Sequence, residues 1–257
     1  AYFDSMWNSD LCGLRYDDEG ALEQPRVQTC RAELSELWQS LSAAYDLQLP
    51  DPAVDMVAVE KTLLLTNDPA ASVTAPILWG RMCQLMSTAQ SRLWMVTPYL
   101  VMDGTMQDDL SAVCAQAPQD TKILVNSRQT GNNIIASADY TIHRPMAEKL
   151  GIPLWEFCGN WSMHTKSVLI DDDLSLIGSF NFDPRSAYLD TELMLAVYSK
   201  ELASQLEDNM NSLWSESLAY ANGTYQPGTV TVKDASFWKM AAIVVLSPFV
   251  SLVRFLT

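Results

Sequence analysis

The chain is short of positive charge. Across 257 residues, 16 Lys and Arg stand against 31 Asp and Glu, a formal net charge of -15. Nucleic-acid binders show a basic face because phosphate contacts dominate their affinity. The few cations here are scattered, which argues against long DNA or RNA as a partner and leaves room for a small phosphate-bearing head group in a local pocket. Metal-ligating residues are scarce too. The histidines are His143 and His164, and Cys12, Cys30, Cys83, Cys114 and Cys158 form no Cys-x-x-Cys pair, so no zinc site is expected. An odd, scattered set points to buried free thiols, with a Cys12–Cys30 bridge left open if the chain faces an oxidising compartment. No apolar run reaches the roughly 20 residues of a spanning helix. The apolar stretch at 240–253 is shorter and interrupted by Pro248, with Lys239 and Arg254 at its flanks. Two readings of it stay open, a membrane-surface segment and a helix docked on the domain, and the first is preferred. An initiator methionine and a signal peptide are also lacking, so the chain reads as a fragment or processed piece of something longer.

What is present is a globular composition. Hydrophobic content of 48% with 18% charged residues excludes a disordered chain. The length suits one large domain or two small ones. Residues 2–9 form a short amphipathic stretch. Residues 30–47 carry Leu34, Leu37, Trp38, Leu41 and Tyr45 at helical spacing, which predicts a core-packing helix. Pro50-Asp51-Pro52 marks a boundary. Beyond it, strands are expected over 57–65, 93–96, 122–125, 153–157 and 192–198. Helices are expected over 77–89, 110–115, 138–150 and 201–220, the last with Leu206, Met210, Leu213, Trp214 and Leu218 on one side. Alternating strands and helices predict an α/β sandwich with a mixed β-sheet flanked by helices.

Residues 164–181 read HTKSVLIDDDLSLIGSFN. Apolar runs on either side of Asp171-Asp172-Asp173 predict two strands joined by a tight turn. Side chains two apart in a strand share a face, so His164 and Lys166 point into one space. An antiparallel return brings Ser179 and Asn181 back to the same end. An imidazole, which can act as nucleophile or proton carrier, then meets three donors for phosphate oxygens. Each residue alone is ordinary; agreement at six fixed positions is not.

This spacing resembles the HKD motif of the phospholipase D superfamily, with Asp171 and Gly178 as its structural positions. The run 178–193, GSFNFDPRSAYLDTEL, is similar to the second motif of bacterial cardiolipin synthases, particularly the C type. Phe3-Asp4 with Trp7-Asn8-Ser9, Thr97-Pro98-Tyr99, Asn126-Ser127, and Arg144, Pro145 and Gly151 resemble further segments of those enzymes. Where the family often has His-Ala-Gly-Tyr, this chain has Ser137-Ala138-Asp139-Tyr140, and the first HKD motif is absent. The resemblance implies residues 1–50 as the tail of a preceding half, 51–235 as a phospholipase D-like domain with the second motif, and 236–257 as an apolar, membrane-surface segment.

It further implies phosphatidyl transfer between phospholipids, phosphatidylglycerol and phosphatidylethanolamine, through a phosphohistidine and without metal or other cofactor. In that chemistry His164 is the acid/base partner of an upstream nucleophilic histidine, with His164 itself as nucleophile the second option, and Glu192 orients His164. Lys166, Ser179 and Asn181 bind phosphate. Arg185 reaches a phosphate or a head group, or forms a structural salt bridge. The partner is the missing first half, in the same or another chain, and the place is the bacterial inner membrane, peripherally. Two other readings stay open: a single-motif homodimeric phosphodiesterase or nuclease, and a non-catalytic lipid-binding module.

Overall fold

The computed structural model describes residues 2–8, 23–45, 56–68, 73–131, 133–232 and 236–250. They belong to two compact units, 1–56 and 57–257. In the first, α1 (Tyr2–Trp7) stacks Phe3 on Trp7 with ring centroids 5.8 Å apart, and α2 runs Pro25–Tyr45. The stripe Leu34, Leu37, Trp38 and Leu41 is exposed rather than packed in a core, which corrects the expectation. Helical spacing decides which residues share a face, not whether a partner layer faces them. Cys30 is a free, exposed thiol. Ser9, Cys12, the side chain of Tyr45 and residues 251–253 lie outside the described residues.

The second unit is built on one mixed sheet. Its strands are β1 (Lys61–Thr66), β2 (Arg92–Val96), β3 (Asp120–Asn126), β4 (Leu154–Phe157), β5 (Ser167–Ile170), β6 (Leu174–Gly178), β7 (Leu193–Tyr198), β8 (Ser217–Ala221) and β9 (Thr224–Tyr225). Their order is β1-β7-β6-β5-β2-β3-β4-β8-β9. β2, β3 and β4 run parallel, and every other pairing is antiparallel. Alternation along each strand feeds two cores. Leu93, Met95, Ile123, Val125, Val168 and Ile170 point to the face covered by α3 (Ile77–Met86), α4 (Gly104–Gln116) and α5 (Ile134–Glu148). Trp94, Val96, Leu124 and Leu169 point to the other, where α7 (Lys200–Ser215) lays down Leu206, Met210, Leu213 and Trp214. The α/β sandwich with helices on both faces of a mixed sheet is therefore the observed architecture.

Boundaries move where side chains cap the backbone. Asp103 accepts from Met106 N at 2.8 Å, and Asn133 from Ile135 N at 3.0 Å, so α4 and α5 begin earlier than their apolar spacing predicts. The helix expected over 201–220 ends at Ser215, and Leu218 belongs to β8. The cause lies just downstream: Asn222 and Gly223 take positive φ, 54° and 77°, in a two-residue turn that pairs Tyr220 with Tyr225. The C-terminal α8 (Phe237–Leu246) docks on α5, with Ile243 and Val250 buried beside Ala138.

One buried ion pair stitches α5 to the sheet. Arg144 Nε and Nη2 each donate at 2.7 Å to Glu156, whose oxygens also accept from Tyr140 OH at 2.7 Å and Tyr225 OH at 2.6 Å. The guanidinium stacks 3.4 Å from the Tyr220 ring centroid.

Candidate active site

The register of β5 and β6 pairs Ser167 with Ile177. His164 and Lys166, just before β5, therefore share one end of the sheet with Ser179 and Asn181, just after β6. Gly178 permits this closure. Its N–H donates to Lys166 O at 3.2 Å, and a Cβ there would run into the Leu193 carbonyl oxygen and Met194 Cα. Asn126, at the end of β3, fixes the approach to His164. Its side chain donates to Met163 O at 2.7 Å and accepts from Met163 N at 3.0 Å.

His164 is exposed, with its ring edge-on to Tyr99. The buried Lys166 lays its ammonium 2.8 Å from His164 Nδ1 and 2.9 Å from His164 O. An ammonium only donates, so the nitrogen it touches carries no proton. Burial and the Lys166 charge hold the imidazole below its ordinary 6.5. Burial pulls Lys166 down to about 8, against the pull of Glu192 and Asp183. A neighbouring cation disfavours imidazolium, so Lys166→Met is expected to move the His164 midpoint upward. Following the ring protons of the two histidines by NMR measures this. An unmoved midpoint would take Lys166 off the imidazole.

Glu192 stands level with Ser179, because Ser179 N donates to Leu193 O at 2.9 Å and Leu193 N to Ser179 Oγ at 3.1 Å. One Glu192 oxygen accepts from Ser179 Oγ, and the other from Ser186 Oγ at 2.9 Å. Burial raises its carboxyl, while the two hydroxyls pull it down. Among the described residues no hydrogen bond joins Glu192 to His164. Both carboxylate oxygens are engaged by serines, and the Lys166 ammonium occupies the imidazole.

Ser186, fully buried, is one of two residues that sequence reasoning missed. It ties Glu192 to the Asn181 backbone, whose N–H donates to Ser186 Oγ at 3.2 Å. Asp183 caps the short α6 (Pro184–Tyr188) by accepting from Ser186 N at 2.7 Å, and burial pushes its carboxyl up to about 6. Asn67, just after β1, donates to Ser186 O at 2.8 Å and Asp190 O at 3.0 Å. The Asp-Pro-x-Ser run around a helix start was the available signal for Ser186. Ser186→Ala is expected to lower kcat about tenfold to a hundredfold by letting Glu192 and Asn181 drift, with KM and melting temperature little changed. A lowered melting temperature with kcat intact would leave Ser186 a purely structural residue.

The remaining motif positions are spread out. Asn181 offers a carboxamide whose oxygen is buried without a hydrogen-bond partner. Arg185 is half-exposed and paired with Asp190 at 2.9 Å. Asp171 sits at the opposite end of β5 with φ 54°. It accepts from the backbone of Gln90 at 3.0 Å, Ser91 at 2.7 Å and Arg92 at 3.1 Å, holding the start of β2. Burial raises its carboxyl, but these bonds outweigh it and keep the group below its ordinary value. Behind Tyr99 lies a cavity of about 10 Å³, lined by Pro98, Asn126, Ser127, Gly131, Ser137 and Tyr140, with room for about one water. No group of three or more metal-ligating side chains occurs among the described residues.

A histidine and lysine entering one strand, with Gly-Ser-x-Asn leaving its antiparallel neighbour on a mixed sheet, define a protein of the phospholipase D superfamily. Residues 82–214, more than half of the chain, match the family described as cardiolipin synthase, PLD-like domain, and the chain belongs to it. It is similar to cardiolipin synthase A of Pseudomonas aeruginosa, 22% identical over 204 residues, 79% of this chain and 40% of that relative. Cardiolipin synthase A of Escherichia coli is 32% identical over 120 residues, 46% of this chain and 24% of the relative. The chain thus spans less than half the length of these curated relatives. The crystal structure of phosphatidylserine synthase from Haemophilus influenzae shares the fold, with a TM-score of 0.56 at 17% identity over 76% of this chain and 48% of the other.

Proposed function

We propose that this chain supplies the second half-site of a cardiolipin synthase-like phosphatidyltransferase, peripheral to the bacterial inner membrane. The observation that carries it is a solitary exposed imidazole among phosphate donors. His164, Lys166, Ser179 and Asn181 converge, while the other histidine, His143, is buried on α5, 3.1 Å from Asp139. Chemistry that uses one histidine as nucleophile and another as acid needs a second imidazole from a preceding half or another chain. Ile177, Leu195 and Leu64 form an exposed apolar row across β6, β7 and β1, on the same strand face as Ser179, where a second half can pack. Residues 1–50 are read as the tail of that half, 51–235 as the domain carrying this site and 236–257 as its membrane-surface segment.

In this reading the upstream histidine attacks phosphorus of a donor phospholipid, phosphatidylglycerol or phosphatidylethanolamine. The bond to the leaving alcohol breaks and His164 gives that oxygen its proton. His164 then takes the proton of an acceptor phosphatidylglycerol hydroxyl, whose oxygen displaces the histidine from phosphorus. Lys166, Ser179 and Asn181 neutralise the phosphoryl oxygens, so the scheme calls on no metal or cofactor. Arg185, released from Asp190, adds a head-group contact. As phosphate draws Lys166 away, the freed His164 nitrogen gains a proton and is oriented by Glu192.

A homodimer in which two copies of His164 face each other meets the same need, and the charge of -15 counts against nucleic acid as its substrate. Transfer is measured in phosphatidylglycerol micelles with and without an added first-half polypeptide. Activity only from combined halves supports the reading. Activity from the chain alone that rises with dimer concentration selects the homodimer. A folded chain inactive under every condition selects a non-catalytic lipid-binding module.

A further inference from the structure

α8 has two faces of opposite character. Inward, Ile243 and Val250 bury beside Ala138 of α5, and Ser247 Oγ donates to Ala138 O at 3.2 Å. Lys239, the sole charged residue of 236–250, also turns inward, its ammonium on the carbonyls of Gln129 at 2.6 Å and Gly131 at 2.8 Å. Outward, Phe237 is 75% exposed, Trp238 79%, Val244 63%, Val245 65% and Phe249 63%. Trp238 and Val245 lie at i and i+7, one line along the helix, and Phe249 follows in the turn just past its end.

We propose that this outer face is a lipid-surface anchor: α8 lies in the plane of a bilayer with Trp238, Val245 and Phe249 at the boundary of head groups and acyl chains. Two features favour a bilayer over a protein, and the helix length sets how it would lie there. Within residues 236–250 no charged side chain points outward, because the one cation of the segment is spent on the loop below; a protein interface surrounds its apolar centre with polar groups. The helix is too short to span, so in-plane burial is the mode open to it. On α5, Ile134 and Ile142, one turn either side of the docked Ala138, are exposed as well, as is Ile135. α5 and the Lys239-bound loop also line the cavity behind Tyr99, so a bilayer placed here meets the neighbourhood of His164. That link to the site rests on the phosphatidyl-transfer reading; the anchor is tested without turnover.

The full chain is sedimented with phosphatidylcholine vesicles and with vesicles containing phosphatidylglycerol, at low and high salt. The protein is acidic and residues 236–250 turn no cation outward, so binding is expected to both and to survive salt. Trp238→Glu with Val245→Glu is expected to lower partitioning at least about tenfold, with circular dichroism unchanged. Trp238→Ser with Val245→Thr is the milder pair should the first disturb folding. Equal partitioning of the folded variants overturns the proposal, as does wild-type protein that stays in the supernatant. Binding only to phosphatidylglycerol vesicles and lost in salt overturns it too. A solution dimer abolished by the same substitutions, in place of vesicle binding, gives the face to a second copy and equally overturns it. Intact vesicle binding without transfer in any combination of halves leaves the anchor standing and removes the transferase reading.

Discussion

His164→Ala is expected to reduce phosphatidyl transfer by the combined halves on the order of 10⁴-fold, as removal of one member of an interdependent catalytic set does. The side chain is exposed and, among the described residues, its hydrogen bonds run only to Lys166, so the fold is expected to be unchanged. No other imidazole of this chain substitutes for it, since His143 is buried in a pair with Asp139. Transfer by His164→Ala within tenfold of the native rate would remove His164 from the chemistry.

The second large effect concerns folding. Glu156 is fully buried and receives two bonds from Arg144 and one each from Tyr140 and Tyr225. Glu156→Ala strands a buried guanidinium and two phenolic hydroxyls, which costs about 3–5 kcal/mol. For a unit of this size that lowers the melting temperature by about 10 °C. Replacing Arg144 by Met and Glu156 by Leu together is expected to recover most of the loss, because the unpaired charge is then gone. Calorimetry of the two variants decides it: a double variant no better than Glu156→Ala would mean that shape, not charge, governs the site.

Much of the molecule was legible in the chain. Strands such as 93–96 and 122–125 announce themselves as apolar runs, and the helix stripe Leu206, Met210, Leu213, Trp214 meets the sheet as its spacing says. The motif was readable because its meaning lies in fixed spacings across one hairpin. The departures have local causes. Continued spacing from Trp214 to Leu218 disguised β8, although Asn222-Gly223 carried the hairpin signal. The stripe of α2 reports periodicity alone. Ser186 and Asn67 escaped notice because their importance comes from contacts across long sequence separations, which no window of neighbouring residues contains. The bonds of Glu192 are of the same kind: position in the chain places it at the site, while the serines decide what it touches.

β1 carries a consequence for where this domain begins. The family match opens at residue 82, yet Lys61–Thr66 zips along the whole of β7, and Asn67 clasps the loop of Ser186 and Asp190. A shortened polypeptide starting at the family boundary would expose β7 as a bare edge, ready to recruit strands from other molecules. It would also loosen the loop that holds Glu192. The stretch that evolution makes recognisable is therefore smaller than the stretch that folds, and an expressible piece must start upstream of Lys61.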